Sequence, residues 1–488
     1  MNQETFSSRW GLVVAGLGVA LGTGNLWRFP RIAAQNGGAA FLIPWFIFLL
    51  IWSLPLLIAE FGLGRASRRG VVGTFANLVG KRYAWMGGFV GLTSVMILFY
   101  YSVVTGWTLK YCLAAVTGEL VGVDSEAYWR TYNASIWQPI FFHLMAVSTG
   151  GFIIYRGVVK GIERANKILV PILFFILIVA VIRAVTLPGA TRGLEFLFSP
   201  DLSVLTNYRT WLEALTQSAW STGAGWGLIL TYAIYMKRDE DVVVNAATIA
   251  FGNNSVSLLA AMAVLPTVFA VLSTTEASNA MESGNLGLSF IWIPQLFLKI
   301  PGGFGLLQLF FLGLFCAALS SLIAMLELAT RLVVDAGIRR KQAIIIVCGV
   351  TGVCGIPSAV SLEVFTNQDW VWGIALMING LFISLAVTKY GHRRFRDELI
   401  NVKGNDLSIG RIYEWILKYL VPVEAGVILL WWMYQAATVY DPIGWWNPLR
   451  TYSVGTCLVQ WGIGLFVLLL FNKQLASVST RTVIEENV

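Results

Sequence analysis

Charge and metal-binding side chains are scarce in this chain. Only 12% of its 488 residues are charged, and it has two histidines, His143 and His392. A soluble domain carries about twice that charged fraction, so a solvated globular surface of this size is excluded. The five cysteines (Cys112, Cys316, Cys348, Cys354 and Cys457) all fall in apolar stretches. There is no Cys-x-x-Cys and no His-Glu-x-x-His, which argues against a disulfide framework, a transition-metal centre and an enzymatic reading alike. The first ten residues, MNQETFSSRW, lack the basic, then apolar, then small pattern of a cleaved signal, so the first apolar segment is expected to be a true span. No stretch between apolar runs is long enough to hold a soluble domain.

Apolar sequence fills the space instead: 57% of the residues are hydrophobic and the mean hydropathy is +0.71. Runs of about 20 apolar residues, the length that crosses a bilayer, recur along the chain. The reading is an all-α polytopic membrane protein with about twelve spans, at 10–34, 39–64, 85–116, 138–156, 166–186, 207–236, 242–272, 304–335, 342–358, 370–389, 411–437 and 451–472. The net charge of +8 is a topology signal, not a nucleic-acid footprint. Lys and Arg crowd the loops after even-numbered spans: Arg65, Arg68 and Arg69; Arg156 and Lys160; Lys237 and Arg238; Arg339, Arg340 and Lys341; Arg393, Arg394 and Arg396. The opposite loops hold Asp124, Glu126, Asp201, Glu276, Glu282 and Asp441. Both termini are therefore expected in the cytoplasm, with the protein multi-pass in a plasma (inner) membrane. One outer loop, 273–303, is amphipathic and too polar to span, and is read as a lid-like helical hairpin over a plain surface loop.

Two spans break the apolar rule. Span 1 contains GVALGTGNLWRFP (18–30) and span 6 contains AWSTGAGWGLILTYAIY (219–235). Glycine-rich interruptions at matching positions of two halves point to a transport site built on inverted repeats. Unwound backbone at membrane depth needs partners, because each unpaired N–H or C=O costs several kcal/mol. Freed carbonyls suit a cation and freed N–H groups an anion. A glycine face for close helix packing is the plain alternative. Asn25 and Ser221, standing inside the breaks as oxygen donors for a hard cation, tip the balance to a site.

Residues 24–44 (GNLWRFPRIAAQNGGAAFLIP), 157–167 (GVVKGIERANK), 231–243 (TYAIYMKRDEDVV) and Leu319-Ser320-Ser321 resemble the neurotransmitter:sodium symporter family, in particular its bacterial amino-acid transporters. The resemblance implies a five-plus-five inverted repeat: a first repeat at 1–186, a second at 207–389, two added spans at 411–472 and a short cytoplasmic tail at 473–488. It implies sodium-coupled import of amino-acid-like substrates by alternating access, and the lack of a counter-charge in the implied pocket leads us to expect a neutral, apolar amino acid, aliphatic or aromatic. It also implies two sodium ions. One would be held by the Ala20 carbonyl with Asn25, Ser221 and Asn253, completed by the substrate carboxylate. The other would be held by carbonyls of Gly18, Leu21 and Ala317 with the hydroxyls of Ser320 and Ser321. The implied substrate site comprises Ala20, Thr23, Gly24, Ile97, Tyr101, Trp220, Ser221, Gly223, Trp226, Ser321 and Met325, with no counter-charge in the pocket.

The implied outer gate pairs Arg28 with Asp369, and the inner gate uses Asp335 with Tyr235 near it. The inner gate's usual arginine partner in the N-terminal tail is replaced by Gln3, with Arg9 the nearest arginine, which is expected to weaken the latch. The chloride positions read Gln217, Ser221, Asn253 and Ser257, with Trp45 where the family has tyrosine. Chloride dependence stays open at this point, with Glu213 as a candidate compensating charge. Two rival readings also stay open: an amino-acid sensor on the same fold without efficient transport, and a sodium-independent or proton-coupled transporter.

Overall fold

The computed structural model describes residues 4–402 and 405–480. The described residues are helical, with no strand among them. Nine helices are long and apolar enough to cross a membrane, and two bent pairs bring the number to 11. The remaining span of the sequence reading is a third broken pair, Tyr208–Ser221 and Leu228–Ala233. The spans are numbered as in the sequence. Span 1 is Arg9–Ala20 plus Gly24–Gln35, bent by 53°. Spans 2 to 5 are Ala39–Ser67, Lys81–Thr117, Trp137–Tyr155 and Val158–Val185. Span 6 is the third broken pair, and spans 7 to 11 are Val242–Val271, Gly303–Asp335, Arg340–Val360, Leu362–Tyr390 and Arg411–Tyr440. Span 12 is Val454–Leu470, followed after a 65° bend by Asn472–Ser479.

Spans 5 and 10 begin eight residues earlier than the hydropathy suggested. Their first turns are polar (Val158–Glu163 and Leu362–Asp369) but are held by neighbouring helices, and hydropathy alone does not register that. The expected tail also starts as a helix. Arg69 donates to the Ser479 carbonyl at 2.8 Å, and Asn472 binds span 3 through the Trp85 N–H at 2.9 Å.

Burial separates the spans into two classes. The most apolar windows of spans 3, 8 and 10 are 72–78% buried, whereas those of spans 5 and 11 are 28% and 33% buried. A helix apolar all round and exposed is lipid-facing, while a buried one with polar side chains lines something. Spans 1, 3, 6, 8 and 10 thus form the centre, and spans 4, 5, 11 and 12 lie outside them.

The two breaks differ in cause. In span 6, Gly223, Gly225 and Gly227 all adopt positive φ (70°, 85° and 76°), a conformation L-residues with a side chain rarely take. The freed N–H groups are met by a carboxylate from span 2: Glu60 accepts from Gly225 at 2.6 Å and from Leu230 at 3.0 Å. In span 1 no residue of the break has positive φ. Gly22 donates to the Ala20 carbonyl and to Asn25 Oδ1, both at 3.0 Å. Gly18 and Gly22 are glycine for closeness, since a methyl group on Gly22 would sit 3.1 Å from Ser321 Oγ and 3.3 Å from the Tyr101 hydroxyl.

The end of the bundle that carries the N-terminal segment is closed. Phe6 is fully buried, donates its N–H to the Tyr235 carbonyl at 3.0 Å and packs on the Tyr232 ring at 5.9 Å. Ser7 binds Glu163 through its N–H at 2.8 Å and also through its hydroxyl. Arg9 bonds Asp406 at 3.0 Å and Asn245 at 3.1 Å. Gln3 lies outside the described residues; the segment that follows it is anchored by these contacts, not by an arginine on Asp335. Asp335 takes Arg331 at 2.8 Å and the Gly70 N–H at 2.6 Å. Tyr235 does not bond Asp335. Its hydroxyl donates to Glu327 at 2.5 Å, and Arg340 from the start of span 9 grips both oxygens of that carboxylate at 2.7 Å. The sequence reading assigned Glu327 no role, because its partner lies in a separate helix.

Two stability predictions follow from these carboxylates. Removing Glu60 leaves two buried N–H groups unpaired, each costing about 1–3 kcal/mol. Glu60→Ala should therefore melt well below wild type in a detergent thermal-unfolding assay, and Glu60→Gln, which keeps one acceptor, should fall between. Breaking a buried ion pair on one side costs about 3–5 kcal/mol, whereas replacing both partners by apolar groups is close to neutral. Glu327→Ala should accordingly destabilise more than the double variant Glu327→Leu/Arg340→Met in the same assay.

Candidate functional site

Between the two breaks lies a cavity of about 700 Å³. All eleven residues of the implied substrate site line it: Ala20, Thr23, Gly24, Ile97, Tyr101, Trp220, Ser221, Gly223, Trp226, Ser321 and Met325. Span 1 brings its break to one wall and span 6 brings its break to the facing one. The Tyr101 hydroxyl lies 3.4 Å from the Thr23 N–H and so marks the freed end of the second half of span 1. Ser94 on span 3 donates to the Trp226 carbonyl at 2.6 Å, fixing one edge of the span 6 break. Trp220 and Trp226 meet edge to face at 6.1 Å. Room for Trp220 comes from Gly373 on span 10, where a methyl group would sit 2.1 Å from the indole. These eleven residues therefore bring hydroxyls, backbone polar groups and apolar surface to the cavity, and no ionised side chain.

The same cavity is also lined by Arg28, Arg31, Arg209, Glu213 and Asp369, charges that the expectation of a pocket without counter-charge did not include. Arg28 and Asp369 do not pair in this structure. Arg28 lies over the Trp220 ring at 5.5 Å. Arg31 bonds Asn285 at 3.0 Å and Gln35 at 3.1 Å. Asn285 belongs to the loop 273–303, which is a helical hairpin of Thr274–Glu282 and Gly284–Leu298. The hairpin is anchored by Phe290, which stacks on Trp129 at 4.8 Å and meets Trp27 of span 1 at 6.1 Å. Its Asn285 and Leu286 reach the cavity wall.

Behind the cavity, the first set of implied cation ligands forms one connected network. Asn25 Nδ2 donates to Asn253 Oδ1 at 2.7 Å and to Ser257 Oγ at 2.8 Å, and Asn253 Nδ2 donates to Ser221 Oγ at 2.7 Å. The Asn253 amide atom nearest Asn25 also lies 2.9 Å from the Ser221 carbonyl oxygen and 3.1 Å from the Ala20 carbonyl oxygen. With nitrogen at that position the amide donates to both carbonyls. With oxygen there, three oxygens lie side by side, groups of the kind a hard cation takes, while Asn25 turns its amide oxygen to the Gly22 N–H and its nitrogen to the network.

The second set gathers at the junction of spans 1 and 8. Ser321 Oγ is 3.5 Å from the Gly18 carbonyl and 3.4 Å from the Val19 carbonyl, and Ser320 Oγ donates to the Ala317 carbonyl at 3.0 Å. The Val19 carbonyl lies at this junction as well. Beside the first network, Gln217 lies one turn before Ser221, buried with neither amide atom partnered, and the Trp45 indole N–H is likewise buried without a partner.

The sodium:neurotransmitter symporter family profile matches residues 3–138 and 134–477. An uncharacterized sodium-dependent transporter of Methanocaldococcus jannaschii is 30% identical over 94% of this chain and 95% of its own length. The uncharacterized sodium-dependent transporter YhdH of Bacillus subtilis is 28% identical over 87% of this chain and 96% of its own. Among solved structures, MhsT in complex with L-phenylalanine superposes with a TM-score of 0.75 at 30% identity, covering 88% of this chain and 99% of that one. With the fold, the two breaks and these matches together, the chain belongs to the sodium:neurotransmitter symporter family and is a sodium-dependent transporter.

Proposed function

We propose that this transporter imports a neutral, apolar amino acid, aliphatic or aromatic, by sodium symport. The observation that carries the reading is the lining at the two breaks. Ala20, Thr23, Gly24, Ile97, Tyr101, Trp220, Ser221, Gly223, Trp226, Ser321 and Met325 bring backbone polar groups, hydroxyls and apolar surface to the cavity and no ionised side chain. A zwitterion with an uncharged side chain matches that lining. Its carboxylate would meet the N–H groups of Thr23 and Gly24 and the Tyr101 hydroxyl. Its ammonium would meet carbonyls of Ala20, Trp220, Ser221 and Gly223. The side chain would lie among Ile97, Trp220, Trp226 and Met325. The phenylalanine in MhsT supports an aromatic substrate among the candidates.

One sodium would bind between Ala20, Asn25, Ser221 and Asn253, touching the substrate carboxylate. A second would bind among Gly18, Ala317, Ser320 and Ser321. Ion and carboxylate in contact lower each other's binding cost, which is a direct physical route to coupling. The unpartnered donors of Gln217 and Trp45, with the hydroxyls of Ser221 and Ser257 and the Asn253 amide, are the groups a chloride would use. The closed end faces the cytoplasm in this reading, by the distribution of Lys and Arg, and Arg28 with Asp369 closes the outer side over bound substrate. The repeats are 1–186 and 207–389.

Purified protein in proteoliposomes should accumulate radiolabelled leucine or phenylalanine under an inward sodium gradient and not under a potassium or proton gradient. Lysine and glutamate in excess should leave that uptake intact. Asn25→Ala should abolish it, and replacement of chloride by gluconate reads out the anion directly. Sodium-dependent binding without accumulation would contradict transport and favour a sensor, and sodium-dependent uptake of charged amino acids alone would overturn the substrate class.

A further inference from the structure

The stretch GVVKGIERANK places one polar side chain where the uptake reading gives it no task. Asn166, on span 5, is fully buried. Its Nδ2 donates to the Ile162 carbonyl one turn back at 2.9 Å, which fixes the plane of the amide. Its Oδ1 has no hydrogen-bond partner. That oxygen presses on the backbone of span 1 at the edge of the break. A methyl group on Gly18 would sit 1.9 Å from Asn166 Oδ1 and 3.3 Å from Ser320 Cβ. Spans 1, 5 and 8 therefore meet at Gly18, and Gly18 is glycine because the amide oxygen occupies the place of a side chain.

The chemistry around that point is one-sided. The nearby polar groups are the Gly18 and Val19 carbonyls and the Ser321 and Ser320 hydroxyls, of which Ser320 already donates to Ala317. An unpaired buried amide oxygen is costly, and an alanine at 166 would avoid that cost. An uncharged oxygen set among other oxygens is what a hard cation recruits.

We propose that Asn166 is a span 5 contributor to the cation site at the junction of spans 1 and 8, its Oδ1 adding an oxygen to those of Gly18, Ala317, Ser320 and Ser321. The proposal rests on the second sodium site of the uptake reading. It has a mechanical consequence. One turn before Asn166, Glu163 holds Ser7 of the N-terminal segment at 2.8 Å and crowds Gly11, where a methyl group would sit 2.3 Å from the carboxyl carbon. Gly11 and Gly18 are two turns apart on one face of span 1. A single turn of span 5 thus touches the closing segment with one side chain and the ion site with another, so sodium at Asn166 holds span 5 against span 1 and with it the closed end.

The test is a sodium titration of thermal unfolding without amino acid, using sodium chloride against N-methylglucamine chloride at constant ionic strength. It is run in an Asn25→Ala background so that the remaining sodium response reports the span 1/span 8 site. In that background Asn166→Ala should raise the half-stabilising sodium concentration about tenfold. Asn166→Asp, which keeps an oxygen and adds charge, should leave it unchanged or lower it. Should the alanine variant fail to fold, the aspartate variant and Asn166→Leu carry the comparison, with the leucine variant losing the response. An unaltered half-stabilising concentration in Asn166→Ala, including one with a uniformly lower melting temperature, overturns the role of Asn166 alone. A protein that shows no sodium stabilisation even with Asn166 and Asn25 intact overturns the sodium reading itself.

Discussion

Backbone exposed at the middle of a membrane must find partners, and the rest of this structure follows from how two helix breaks meet that demand. At the span 6 break the protein supplies the partner itself. Glu60 takes the freed N–H groups of Gly225 and Leu230, and the glycines at 223, 225 and 227 adopt a backbone that other residues resist. At the span 1 break the N–H side is only partly met, by Asn25 within the break and by the Tyr101 hydroxyl across from it. On the carbonyl side, Ala20 and Ser221 point into the Asn253 network, and Gly18 and Val19 have a serine hydroxyl at the limit of hydrogen bonding. Surplus donors are thus taken up by a protein carboxylate, and surplus acceptors are left where cations can use them.

The same logic separates the two ends. At the closed end, ionised groups are paired: Glu327 with Arg340, Asp335 with Arg331, Glu163 with Lys167. Arg28 and Asp369, by contrast, line one cavity without pairing, and Arg28 lies over the Trp220 indole face. Charges already paired in a buried interface must be pulled apart at a cost.

Much of this was legible in the sequence, and the limits have physical causes. Hydropathy located the eleven apolar spans because a bilayer demands a long apolar run, and the interruptions at 18–30 and 221–227 pointed to a site because unwound backbone is costly there. The eleven residues implied for the substrate converge on one cavity since they sit within, or opposite, the two breaks. What could not be read is pairing between distant helices. Glu327 gave no sign of Arg340, Glu60 gave no sign of the Gly225 N–H, and Asn166 gave no sign of Gly18, because each pairing depends on helix packing and leaves no periodicity. The reason for a glycine was also hidden: positive φ at 223, 225 and 227, close approach at 18 and 22. A signal for Asn166 did exist, an amide in an otherwise apolar helix next to a motif of known spacing.

The central claim is that the span 1 and span 6 breaks bind sodium and amino acid as one unit, joined through Asn25, Asn253 and Ser221. Equilibrium binding of a radiolabelled neutral amino acid to the purified protein tests it, in saturating sodium chloride and in N-methylglucamine chloride. The account predicts an affinity at least about tenfold tighter in sodium, a coupling of roughly 1.4 kcal/mol, lost in Ser221→Ala. Equal affinity in the two salts would contradict it.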